Sequence, residues 1–284
     1  MYYFYYYDEM TEERSNGIKE VIDKMMNLVL NNVLQKNPFL PEVFKQNKPL
    51  YAALVPYEIW KGSYFERKFV TDFGKAWQHL AVVAAKEYHR NAHEEYMIRG
   101  TINEERLKRI QRVINKIEHK DKKGNRAKPN WNKELKYILA GTGRPVDVSV
   151  QCDLYIETND GKKYAFEIKA PQPNSDQTKV SKEKIFKLLA MNEQPVDYAY
   201  FALAYNPFGK TRKDYVWSFA DRWFNMQKDP CVLIGDETWD FIGGKGTYQG
   251  FITEVNKLGV EYKERIYREY LRMDPPEGFE EENK

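Results

Sequence analysis

Apolar residues recur at helical spacing from Ile18 to Gln35, at Ile18, Val21, Ile22, Met25, Met26, Val29 and Val33. They predict a helix that Asn37-Pro38 ends. Residues 38–62, rich in Pro and aromatics, read as an irregular connection with a short helix. A second stripe, Phe65, Phe69, Phe73, Trp77, Leu80 and Ala84, predicts a long helix over Tyr64–Tyr88. A third, Leu107, Ile110, Ile114 and Ile117, marks another helix, with Arg106, Arg109, Arg112 and Lys116 off the stripe. Residues 120–130 are Lys, Gly, Asn and Pro in character and predict an exposed loop.

After Gly141-Thr142-Gly143-Arg144-Pro145 the period changes from helical to strand-like. A strand over Val148–Glu157 meets Asn159-Asp160-Gly161, a strong hairpin signal because Gly161 tolerates positive φ. The chain returns as a second strand over Lys163–Ala170, stopped by Pro171-Gln172-Pro173-Asn174. A helix follows over 177–192, and the nearly all-apolar Tyr198–Tyr205 reads as a buried strand. Short strands at Tyr215–Phe219 and Cys231–Gly235 alternate with helices near Glu237–Ile242 and Val260–Leu271. The order predicts an α/β core with a helical N-terminal layer.

Composition narrows the picture. The chain has 284 residues, 42% hydrophobic and 31% charged, which is globular rather than disordered. Its two cysteines, Cys152 and Cys231, suggest neither a disulfide framework nor a zinc site, and fit a reduced, cytoplasmic setting. No run approaches a membrane span. The aromatic start Met1–Asp8 lacks the marks of a secretion signal and is expected to be a short strand or packing arm. Net charge is only +3, but Arg106–Lys136 holds twelve Lys or Arg against three Asp or Glu. Such a block suits a polyanion, or is a solvated helix face.

The hairpin concentrates the candidate chemistry. A three-residue loop pairs Thr158 with Lys162, and counting back sets Asp153 opposite Glu167, with Lys169 on the same face. Two adjacent carboxylates can hold a divalent cation, and a nearby Lys can steady developing negative charge, as phosphodiester hydrolysis requires. Glu-x-Lys alone is weak: it occurs six times, starting at Glu66, Glu118, Glu134, Glu167, Glu261 and Glu282. Only Glu167 falls in a strand that follows an Asp-bearing strand. His89 and His93 stand at i and i+4 of an expected helix without a third ligand and read as surface histidines. Gly243-Gly244-Lys245-Gly246 lacks the form of a phosphate-binding loop.

With Asp153 before it and a helix and buried strand after it, Phe166-Glu167-Ile168-Lys169-Ala170-Pro171-Gln172-Pro173-Asn174-Ser175-Asp176-Gln177 resembles the PD-(D/E)XK nuclease superfamily. More narrowly it resembles the TdeIII-type group of type II restriction endonucleases. Ser63–Phe69 with Phe73-Gly74, and Ile234–Gly244, support the likeness, which spans about residues 60–255. The superfamily's Pro-Asp pair is not intact, because Cys152 precedes Asp153; Asp147, in Pro145-Val146-Asp147, is the rival acidic position.

The resemblance implies a mixed β-sheet flanked by helices, in a single nuclease domain over 1–284. Within it, 1–62 would be a helical region, 63–272 the catalytic core and 273–284 an acidic tail. It implies Asp153 and Glu167 as Mg²⁺ ligands and Lys169 as the catalytic lysine. Glu66 is either a further metal carboxylate or a surface residue paired with a lysine. Gln177, Lys179, Lys182 and Arg144 are candidate DNA contacts. Expected partners are double-stranded DNA, a second copy of the chain, since palindromes are read by two-fold symmetry, and a protecting DNA methyltransferase. The implied target is a short interrupted G/C palindrome of the GGNCC kind. A repair or recombination nuclease, or a DNA-binding protein that does not cut, are the alternatives.

Overall fold

The computed structural model describes residues 11–280; the expected arm at Met1–Asp8 and the last four residues lie outside them. In chain order the elements are α1 (Glu12–Asn31), α2 (Pro41–Asn47), α3 (Pro49–Leu54), α4 (Tyr57–Lys86), β1 (Asn91–Asn103), α5 (Glu104–Glu118), α6 (Trp131–Leu139), β2 (Pro145–Glu157), β3 (Lys163–Lys169), α7 (Ser175–Ala190), β4 (Tyr198–Leu203), α8 (Ser218–Asp221), β5 (Val232–Ile234), α9 (Asp236–Gly243) and α10 (Thr247–Arg265). Short π-helical turns extend α1 through Lys36 and α10 through Leu271. No helix among the described residues is long and apolar enough to cross a membrane. The chain divides into two compact units, Ala81–Tyr248 and the segments on either side.

The flanking unit is helical, as the N-terminal periodicity predicts. Thr11 caps α1 by accepting a hydrogen bond from the Arg14 amide. The expected stripe is buried at Ile18, Ile22, Met25, Met26 and Val29, joined by Leu30, while Val21 is half-buried. Asp23 and Asn27 on the polar side receive the Tyr262 hydroxyl and the Arg265 guanidinium of α10, each at 2.8 Å. Residues 38–62 are more regular than expected. Proline opens both α2 and α3, where its missing N–H costs nothing.

The central unit is built on a five-stranded sheet in the order β1-β2-β3-β4-β5. β1, β2 and β3 pair antiparallel, whereas β3, β4 and β5 pair parallel. α7 is therefore the crossover between β3 and β4. Ile110, Ile114 and Ile117 of α5, Trp131 of α6 and Ile185 and Phe186 of α7 pack with Ala165 and Phe201 in one buried cluster. The opposite face stacks Tyr164, Phe166 and Tyr200 against Phe241 of α9.

Three expectations need correction. β1 was not legible, and His93 sits on it, so His89 and His93 do not share a helix. Tyr215–Phe219 is not a strand: Ser218 opens α8, and the Trp217 indole is drawn to the Pro173 carbonyl. α10 begins at Thr247, well before the expected Val260.

Candidate active site

The hairpin turn fixes the register. The Thr158 amide donates to the Lys162 carbonyl at 2.9 Å, Gly161 donates back to Thr158 at 3.0 Å, and Gly161 adopts φ 83°. Glu157 then faces Lys163, and Leu154 faces Phe166. One further step along the same register places Asp153 opposite Glu167.

The side chains meet as this register requires. The Lys169 ammonium lies 2.6 Å from Asp153 Oδ2 and 3.3 Å from Glu167 Oε2. One cationic group thus bridges both carboxylates. Asp153 Oδ2 also accepts the Ile168 amide at 2.8 Å, which holds that carboxylate against β3. Glu167 is 1% exposed, yet both its oxygens are used. Lys184 Nζ approaches Oε1 at 2.7 Å, and the Ser181 hydroxyl donates to Oε2 at 3.3 Å. Ser181 and Lys184, three residues apart, share one face of α7. That helix is aimed by a reciprocal cap: the Gln177 amide donates to Asn174 Oδ1, and the Asn174 amide donates to Gln177 Oε1.

Two carboxylates and two ammonium groups make the cluster formally neutral. Burial pushes the Glu167 carboxyl above the usual range; Lys169 pulls it back, Asp153 pushes it further, and Lys184 opposes. Burial also disfavours charge on Lys169, but the pull of Glu167 and Asp153, with hydrogen bonds to both, outweighs it and raises that pKa. The lysine is held protonated between its acidic partners. Beside them, burial first and then the Glu167 and Asp153 charges push the Cys152 thiol up to about 12. It is a neutral packing group next to Asp153.

Residues 14–259 match the family model of the type II restriction endonuclease HinfI. The chain belongs to this family. It is also similar to the type II restriction enzymes HgiCII (28% identity over 79% of this chain and 82% of the relative) and HgiEI (29% over 82% and 86%), both from Herpetosiphon aurantiacus. The mixed sheet with flanking helices is the α/β architecture expected of a restriction-endonuclease-like fold.

In this HinfI-family chain the outer candidates fare unequally. Lys182, expected at DNA, is completely buried. Its ammonium meets Glu134 at 2.7 Å and the Trp223 carbonyl at 2.6 Å, inside a box of Trp131, Phe186 and Phe224. Buried and paired in this way it has no exposed surface to offer a phosphate, and the expected DNA contact is corrected to a packing role. Lys179 is bound to both oxygens of Glu118, at 2.6 and 2.7 Å. The Gln177 carbonyl is engaged in the helix cap. Arg144 remains largely exposed, with a loose pairing to Glu104 at 3.5 Å.

Asp147 lies six residues before Asp153 on β2, about 20 Å away at strand rise, and pairs with Thr101. That separation removes it as a co-ligand of Glu167. Glu66 is exposed on α4, in the flanking unit, and has no ion-pair partner among the described residues, so the expected surface pairing with a lysine is absent.

Among the described residues, no group of three or more His, Cys, Asp or Glu is arranged to hold a metal ion. A two-carboxylate site still fits Mg²⁺, which often takes one or two carboxylates and completes its shell with water and substrate phosphate. Sequence reasoning missed that Ser181 and Lys184 hold Glu167. The available signal was their i, i+3 spacing on the helix after Glu-x-Lys.

Proposed function

We propose that the chain is a Mg²⁺-dependent type II restriction endonuclease that hydrolyses double-stranded DNA at a short interrupted G/C palindrome of the GGNCC kind. The supporting observation is the Lys169 ammonium set between Asp153 and Glu167. Asp153 and Glu167 would hold the cation. When bound, Mg²⁺ supplies Lewis acidity toward a phosphoryl oxygen and lowers the pKa of a water. Lys169 orients the attacking water in line with the scissile bond, or offsets the charge gained by the phosphate in the transition state. Ser181 and Lys184 keep the buried Glu167 carboxylate aimed.

The narrower TdeIII-type likeness belongs to this proposal. So do a homodimer, one nuclease domain made of both units, a cytoplasmic setting and a protecting methyltransferase. Lys169→Ala is expected to lower cleavage by about 10²–10³-fold or more, with DNA binding retained. Full cleavage by that variant sinks the assignment. Plasmid incubated with the wild-type protein and Mg²⁺ separates the alternatives. Discrete fragments support restriction, a smear points to a non-specific nuclease, and intact but gel-shifted DNA points to a binding protein.

A further inference from the structure

We propose that the connection between α5 and α6, residues 119–130, is a preformed clamp for the DNA phosphate backbone. The inference rests on the reading of the chain as a DNA-acting enzyme. Within this segment there are five Lys or Arg against one Asp. The single acid is consumed locally: Asp121 Oδ1 accepts the Lys123 and Asn125 amides, each at 2.9 Å. Lys120, Lys122, Lys123 and Lys128 are exposed and have no ion-pair partner among the described residues.

These lysines differ from those of α7, where Lys179, Lys182, Lys184 and Lys187 are each paired with a glutamate. A paired ammonium must first give up its carboxylate to bind phosphate. The loop cations have nothing to give up except counterions, whose release favours binding.

The segment is also built to hold its shape. Asp121 and Asn125 close a tight turn through a 2.7 Å backbone bond, with Gly124 at φ 82°. Arg126 Nε donates to the Glu118 carbonyl at 3.1 Å, and the Ala127 amide donates to the Lys116 carbonyl at 3.2 Å. At the far end, Asn130 caps α6: its Oδ1 accepts the Lys133 amide, and its own amide donates to Glu134 Oε1. Little conformational entropy is lost when such a loop meets a ligand.

Its placement fits the reaction. The loop starts directly after Glu118, which is pinned to Lys179 in the first turns of α7. Lys179 precedes Ser181, the residue bonded to Glu167, by two positions, about 3 Å along the helix axis. Arg222 braces the same corner by donating to the Glu118 carbonyl and to Ser175 Oγ. A duplex with its scissile phosphate at Lys169 carries further charges at about every 1.7 Å of axis. The loop cations are positioned for that flanking backbone.

The test is duplex binding by fluorescence anisotropy across a salt series, in chelator, so that cleavage does not enter. Changing Lys120, Lys122, Lys123 and Lys128 together to Gln is expected to make the slope of log K against log salt shallower by roughly 3–4. The four-fold Lys→Arg variant is expected to keep the wild-type slope. Circular dichroism and the thermal midpoint check that both variants fold. An unchanged slope in the folded Gln variant overturns the clamp. A wild-type protein that binds through this loop yet never cuts DNA breaks only the nuclease reading, whereas one that cuts with its slope untouched by the Gln changes breaks only the clamp.

Discussion

Two lysines of α7, two residues apart in sequence and each paired with a glutamate, show how differently one ion pair can be used. Lys182–Glu134 and Lys184–Glu167 have the same 2.7 Å separation. Lys182 is sealed beneath three aromatic rings and spends another hydrogen bond on the Trp223 carbonyl. Lys184 is partly exposed, and its glutamate is shared with Ser181 and Lys169. The first pair is closed on itself. The second opens onto another carboxylate, Asp153, through Lys169. Chemistry needs that second arrangement, because a cation or phosphate can exchange with a group that has a route out.

The comparison breaks first at the sealed pair. Lys182→Met strands a largely buried Glu134 carboxylate and is expected to cost about 3–5 kcal/mol of stability. Denaturant unfolding measures it. Lys182→Met combined with Glu134→Leu is expected to recover most of that loss, because an apolar pair of similar volume often replaces a buried ion pair without penalty. If the single variant loses nothing, the pair is not the structural partner its burial implies.

The open pair gives the next largest effect, in a different observable. Lys184→Gln leaves Glu167 with Ser181 and Lys169 but without its closest cation. Loss of such a supporting contact is expected to lower cleavage by about 10–100-fold, with DNA binding intact. Lys184→Arg is expected to restore part of the rate by replacing the charge. A merely structural lysine would instead lower the unfolding midpoint without separating rate from binding. Equal activity of Lys184→Gln and wild type removes Lys184 from the site.

The same comparison explains what could be read from the chain alone. The Asn159-Asp160-Gly161 turn has a composition that permits few geometries, and the side-chain period of a strand is two. The alignment of Asp153 with Glu167 therefore followed from counting. The lysines of α7 offered no such rule. Lys182 points into an aromatic box assembled from α6, α7 and the segment after α8, elements far apart in sequence. Nothing local separates it from Lys184. β1 escaped for another reason: it is an edge strand, and only Ala92, Ile98 and Ile102 of its thirteen residues are buried. Its charged, exposed face blunts the open edge and erases the alternation that marks a strand.

β1 also carries the smallest and most selective effect. Its ladder with β2 runs from Asn91 opposite Glu157 to Asn103 opposite Pro145, with one break, where Glu95 faces Asp153. Glu95 adopts φ 48°, a left-handed conformation that costs a side-chain-bearing residue about 1 kcal/mol or more. Glycine takes this conformation freely but loses more entropy on folding. Glu95→Gly is therefore expected to raise stability by no more than about 0.5–1 kcal/mol, read as a small rise in the unfolding midpoint. Cleavage is expected to stay at the wild-type level, because the conformation beside Asp153 is preserved. A β-branched residue such as Val cannot hold that φ without strain, so Glu95→Val is expected to lose stability and activity together. Equal cleavage by the Gly and Val variants would show that the break beside Asp153 serves only the sheet edge and leaves the open pair independent of it.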